Sequence, residues 1–237
     1  MNHWETRVTT DMLDDRRTQT RMPDGATSLI FCLLPDGESH LVVLGPRTRA
    51  SYYPGKDVPL TVTVRFRPGS ARLLTGVPVS EIVGRTLPLS DLWGPPATRL
   101  HHDLLADPTH ASHRIEQALR ERLAAQPKVV ASSRALVSAA TLMLASERVQ
   151  DTARKLSVSE RHLRNLFTDM IGLSPKQLAR VNRIRTVLSR AERERGTRLA
   201  TDIGYYDQSH MGAEFRSAMG VPLGAFMAGQ LPPGECC

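Results

Sequence analysis

The sequence predicts an α+β chain of two domains: a β-rich N-terminal domain over residues 1–126, then an all-α domain over 127–237 built from two tandem helix-turn-helix units. Three observations predict it. Runs with strand character, each closed by a Pro/Gly turn, fill the first third. A helical pattern is written twice in the last third, with Ala153, Leu163, Phe167 and Gly172 answered by Ala200, Met211, Phe215 and Gly220. Positive charge is also uneven: residues 128–237 hold 16 Lys/Arg against 10 Asp/Glu, while residues 1–127 hold 15 against 14. Almost all of the overall +7 therefore lies on the repeated segment.

Residues 1–28 are polar, with little periodicity, and read as an irregular arm with at most one short element. Ser28 to Leu34 is an apolar run closed by Pro35-Asp36-Gly37, and His40 to Leu44 is closed by Gly45-Pro46, which makes an antiparallel pair. Cys32 lies in the first run and reads as a small buried hydrophobe. Leu60 to Arg67 alternates, with Val62, Val64 and Phe66 on one face and Arg65 and Arg67 on the other. The two arginines could clamp an anion, but a solvated outer face explains the same alternation. Past Gly94-Pro95-Pro96 the pattern turns helical. Ile115, Leu119 and Leu123 form a narrow seam, expected either to pack on its own domain or to pair with a second copy. The domain boundary is expected near Gln126-Pro127, with Leu136, Ala139, Ala140 and Met143 inward on the first helix beyond it.

In the first repeat Val149, Ala153 and Leu156 form one stripe, and the small Ala153 allows a close helix crossing. Ser159 is a good N-cap, because its hydroxyl can accept from an orphan amide of the next turn. Leu163, Leu166 and Phe167 then face inward, leaving Arg161, Arg164 and Asn165 outward. The offset between copies is 47 at the alanine and 48 from Leu163 onward, so one residue has been added inside the second turn. There Gln208, Ser209 and His210 open the equivalent helix, and Gly212-Ala213 stand where Arg164-Asn165 stand in the first. Between the copies Ser174-Pro175 reads as N-cap and first residue of a basic helix, with Leu178, Val181, Ile184, Leu188 and Ala191 inward.

A second helix of such a unit can lie in a major groove with its N-terminal side chains on base edges. Arginine suits the O6/N7 edge of guanine and asparagine the N6/N7 edge of adenine. Ser159, Arg161, Arg164 and Asn165 in the first copy, with Gln208, Ser209 and His210 in the second, are thus the expected DNA-binding residues. Lys155 and Arg183 are the expected phosphate contacts. Tyr205 and Tyr206 read as packing and backbone-contact residues.

The C-terminal part resembles the AraC-type transcription regulators. The residues that carry the resemblance are Leu156-Ser157-Val158-Ser159-Glu160-Arg161-His162-Leu163, Phe167, Gly172-Leu173-Ser174-Pro175, Gly204 to Met211, and Glu214-Phe215-Arg216. The sequence departs from the family pattern at Ser157, which replaces a turn glycine, at Asn165, at Gly212-Ala213 and at an early Pro222. Leu34-Pro35-Asp36-Gly37, Arg65 to Gly69, Gly76 to Glu81 and Leu92-Trp93-Gly94 resemble an N-terminal domain often fused to such readers. The resemblance implies a sequence-specific regulator of transcription, with activation as the expected sign. Its N-terminal half would be a sensor or dimerisation module. The implied partners are double-stranded DNA, a small-molecule effector, RNA polymerase and a second copy of the chain.

Three cysteines make no disulfide framework, and Cys236-Cys237 read as a frayed terminus. His101, His102, His110 and His113 lack a nearby cysteine and read as solvated, so no metal and no cofactor are expected. The apolar runs are too short to span a membrane and the first residues lack a signal-peptide layout, which predicts a cytoplasmic protein. No nucleophile-base-orienter set and no phosphate-cradling glycine loop is present, so no enzyme is expected. The competing class is an enzyme or DNA-repair protein whose helical domain only localises an N-terminal activity. The DNA-repair form would need a reactive acceptor cysteine in a metal or basic setting, which Cys32 in an apolar strand lacks.

Overall fold

The computed structural model describes residues 3–10, 18–55, 57–125, 128–144, 147–191 and 196–234. The expected boundary at Gln126-Pro127, and Cys236-Cys237, lie outside them. The described strands are β1 (Trp4–Thr9), β2 (Thr18–Arg21), β3 (Ser28–Leu33), β4 (Ser39–Leu44), β5 (Ser51–Pro54), β6 (Leu60–Phe66) and β7 (Thr86–Pro88). The α-helices of the first half are α1 (Ala71–Thr75), α2 (Leu89–Trp93), α3 (Pro95–Ala106) and α4 (Ala111–Ala124). Those of the second half are α5 (Lys128–Met143), α6 (Val149–Lys155), α7 (Glu160–Met170), α8 (Pro175–Arg190), α9 (Gly196–Asp202), α10 (Gln208–Met219) and α11 (Leu223–Met227). The chain is thus a β-rich N-terminal region followed by a helical C-terminal one. Packing divides it into two compact units. One holds residues 1–13, 26–46 and 57–175, the other residues 14–25, 47–56 and 176–237.

The first unit is built on a five-stranded antiparallel sheet in the order β1-β6-β3-β4-β7. Period-two patterning sends Leu29 and Phe31 of β3, Leu41 and Val43 of β4, and Val62, Val64 and Phe66 of β6 to one face, all buried. Each such burial is worth about 1.5–3 kcal/mol. Ala97, Leu100 and Leu104 of α3 and Ile115 and Leu119 of α4 belong to the same core. The Ile115–Leu119 seam is therefore filled by its own domain and is not free to pair with a second copy.

Three expectations change. The N-terminal arm contains two strands, β1 and β2, and β1 pairs along β6, with Trp4 opposite Phe66 and buried in the core. Cys32 is half-buried rather than buried, because it falls on the face of β3 opposite Leu29 and Phe31. His101 is not solvated. It exchanges a hydrogen bond with the Ser39 hydroxyl at 2.8 Å and stands edge-on to Phe31, and burial lowers its pKa.

The second unit centres on α8, α9 and α10. Ile184, Val187, Ala191, Leu199, Ala200, Tyr205, Met211, Phe215, Ala218 and Met219 form its core. Val187 of α8 is fully buried and Leu188 only partly, one position from the expected inward residue. β2 and β5 pair as a separate two-stranded ribbon in this unit, with Thr20 opposite Tyr52.

Candidate nucleic-acid interface

Both copies of the repeat close their turns with the same bonds. The Val158 amide donates to the Ala153 carbonyl at 3.0 Å, and the Tyr205 amide to the Ala200 carbonyl at 2.9 Å. Both alanines are buried, as a close helix crossing requires. The caps also match: Ser159 accepts from the His162 amide at 3.1 Å, and Asp207 from the His210 amide at 2.7 Å. Matching bonds before and matching caps after leave Tyr206 as the added residue. Its side chain is 91% exposed, whereas Tyr205 is buried, so the two neighbouring tyrosines have unlike roles.

The turns differ in strain. Gly204 sits at φ 86°, and its counterpart Ser157 at φ 55° is the one non-glycine residue in that region among the described residues. A Cβ there costs about 1–2 kcal/mol. Ser157→Gly should therefore raise stability by about 0.5–1 kcal/mol after the entropy of glycine in the unfolded chain is deducted. Urea denaturation of the two proteins reads the difference.

On α7, Leu163, Phe167 and Met170 are buried, and Arg161, His162, Arg164, Asn165 and Thr168 are exposed. Arg161, Arg164, Asn165 and Thr168 follow one another at helical spacing along one face. Ser159 accepts at its oxygen for the cap and is exposed, so its hydroxyl can still donate to a partner outside. Arg164 reaches back to Glu160 at 2.7 Å, but both side chains are well exposed, and such a pair is worth at most about 1 kcal/mol. A stronger acceptor can take the guanidinium. Lys155, 58% exposed at the end of α6, pairs at 2.7 Å with Glu147, which is only 25% exposed.

α10 repeats the layout with other side chains. Gln208, Ser209 and His210 are exposed at its start, and Gly212, Ala213 and Arg216 continue the stripe. His210 stands edge-on to the Tyr205 ring, 5.4 Å between centroids. Arg216 answers Thr168 at the 48-residue offset and adds an exposed cation that was not among the expected site residues. Reading the repeat to its last turn would have found it.

Arg183, expected on phosphate, points into its own unit. Its guanidinium donates to both carboxylate oxygens of Glu214, at 2.9 and 3.0 Å, and lies over the Tyr205 ring. The Tyr205 hydroxyl donates to the same carboxylate at 2.9 Å. Burial and the Glu214 charge push the Tyr205 pKa well up, so its proton stays in place. Glu214 occupies the position of Leu166 in the first copy, so an ion-paired cluster joins α8 and α10 at a position that carries an apolar side chain in α7. Glu214→Ala should lower stability by about 1.5–3 kcal/mol, the worth of hydrogen bonds to a charged group. The midpoint of urea unfolding tests it.

Among the described residues no three His, Cys, Asp or Glu side chains are grouped to hold a metal ion, and no helix is long and apolar enough to cross a membrane.

Residues 152–229 match the family model described as a helix-turn-helix domain, and residues 2–88 match one described as a domain of unknown function. No curated protein matches the chain. Among solved structures, ToxT from Vibrio cholerae is similar at 13% identity, over 96% of this chain and 99% of that one, with a TM-score of 0.43. ToxT from Vibrio cholerae O395 gives 15%, 97% and 95%, with a TM-score of 0.42. An unsaturated-fatty-acid-bound ToxT from Vibrio cholerae strain SCE256 gives 14%, 93% and 89%, with a TM-score of 0.40.

Proposed function

We propose that the chain is a DNA-binding transcription regulator, its helix-turn-helix domain of AraC type standing behind the domain of unknown function, and that α7 and α10 both enter the major groove. They would occupy successive turns on one face of the duplex, about 34 Å apart. The observation that carries this is the repeated outward stripe, written on two helices whose other faces are already filled by Phe167 and Phe215. Arg161, Arg164 and Asn165 read bases from the first helix, with the Ser159 hydroxyl at its start. Gln208, Ser209 and His210 read from the second. Lys155 contacts phosphate, and Arg183 does so only by exchanging part of its hold on Glu214. Residues 127–237 are the DNA-binding domain in this reading, and 1–126 the regulatory one. A small-molecule effector, a second copy of the chain and RNA polymerase are its further partners, and its place is the cytoplasm.

Selection of bound sequences from random duplexes with the full chain tests the reading. An enriched motif in two parts, one helical turn apart, is expected; no enrichment would end it. Affinity for the selected duplex should fall linearly with salt on logarithmic axes, by about 0.9 per phosphate neutralised. Lys155→Ala should reduce that slope by about 1 and weaken all sequences alike. A variant with an unchanged slope would remove Lys155 from the interface.

A further inference from the structure

β2 and β5 lie within residues 2–88, the segment matched as a domain of unknown function, yet they pack in the unit that holds α8 and α10. What they touch there is specific. The last carbonyls of an α-helix have no partner within it. At the end of α10 the Arg216 carbonyl is satisfied by the Gly220 amide. Two later ones are met from the ribbon: the Ala50 amide donates to the Ala218 carbonyl at 2.8 Å, and the Tyr52 hydroxyl to the Met219 carbonyl. Tyr52 is buried, and burial raises its pKa, so the phenol keeps the proton it donates. Met22 and Ala50 also pack on the apolar cluster that contains Met211 and Phe215. Just past β2, Asp24 pairs with Arg185 of α8 at 3.5 Å, and Arg185 donates to the Pro23 carbonyl at 3.4 Å. The ribbon and the residues flanking it therefore hold both α10 and α8.

We propose that the β2–β5 ribbon is a positioning clamp for the second reader, with Tyr52 and Ala50 fixing the C-terminal end of α10. The proposal rests on the reading of α10 as a DNA-binding helix. Part of the N-terminal domain thereby sets the angle at which Gln208, Ser209 and His210 meet the duplex. Tyr52 is thus a positioning residue that touches no base.

The test uses the full chain and the duplex it selects. Positions under each reader are marked by the single-base preferences that Arg164→Ala and Gln208→Ala change. Tyr52→Ala should weaken binding at least tenfold and flatten preference only at the positions Gln208→Ala marks. Tyr52→Phe keeps the ring and loses the donor, and should show the same pattern at about threefold. Amide hydrogen exchange without DNA gives a second readout: the last turn of α10 should exchange at least tenfold faster in Tyr52→Ala, with α7 unchanged. Equal loss under both readers, or unchanged exchange at the end of α10, would overturn the proposal. If the wild-type chain selects no duplex, the DNA reading of α10 fails and the positioning role falls with it, while faster exchange would still show a ribbon that clamps the helix.

Discussion

Arg164→Ala is expected to flatten base preference under the first reader while leaving that under the second intact. Arg164 is exposed on the α7 stripe, and what holds it is one exposed ion pair with Glu160, which DNA can outbid. A bidentate arginine–guanine contact discriminates by about 1–3 kcal/mol, on the order of five- to 150-fold. In α10 the matching positions are Gly212 and Ala213, which carry no donor. Gln208→Ala, at the start of that helix, should therefore cost less. Binding of wild type and both variants to a panel of single-base operator variants at one salt concentration measures this directly. Equal costs under the two readers would mean that Gly212 and Ala213 approach the bases by backbone, or that Arg216 carries the second half.

The second large effect is expected at Gly172. This residue ends α7 at φ 82°, and a Cβ placed on it would lie 2.8 Å from the Val79 carbonyl oxygen and 2.8 Å from the Val83 Cγ2. The backbone oxygen cannot step aside, so Gly172→Ala meets both a left-handed penalty and a clash. A loss of about 2–5 kcal/mol is expected, the sum of about 1–2 for conformation and 1–3 for overpacking. Its repeat partner Gly220 has φ 75° with nothing within 4 Å of its Cβ position. Gly220→Ala should cost only the conformational part, about 1–2 kcal/mol. Denaturant midpoints of the two variants separate the terms, and equal losses would show that the contact of the α7 end with Val79 yields easily.

Why some of this was legible in the sequence and some not is a matter of range. β3, β4 and β6 declare themselves through period-two burial and turns rich in Pro and Gly, all local signals. β1 carries Thr6 where a core strand would carry an aliphatic, and its pairing with β6 spans more than fifty residues, so no local pattern marks it. β2 and β5 are four residues each and acquire their partner across thirty residues. Helices α7 and α10 and their outward stripes were legible because a repeat gives each residue a second instance against which to judge it. The hold of Arg183 on Glu214 was not legible for the opposite reason: Glu214 is thirty-one positions away on another helix. Tyr205 and Tyr206 look alike in sequence, and only the position of the added residue separates them.

That added residue has a consequence for how this segment tolerates change in length. It falls after the bond that locks the helix crossing and before the cap that starts α10, where no side chain has yet been assigned to a face. Chain length can vary there without disturbing either helix. One position later the same insertion would rotate every following side chain of α10 by about 100°, since a helix turns once in 3.6 residues. Met211 and Phe215 would swing out of the core, and polar neighbours would swing in. Length polymorphism in this part of the chain is thus confined by geometry to the step between the Tyr205 amide bond and the Asp207 cap, and Tyr206 occupies it.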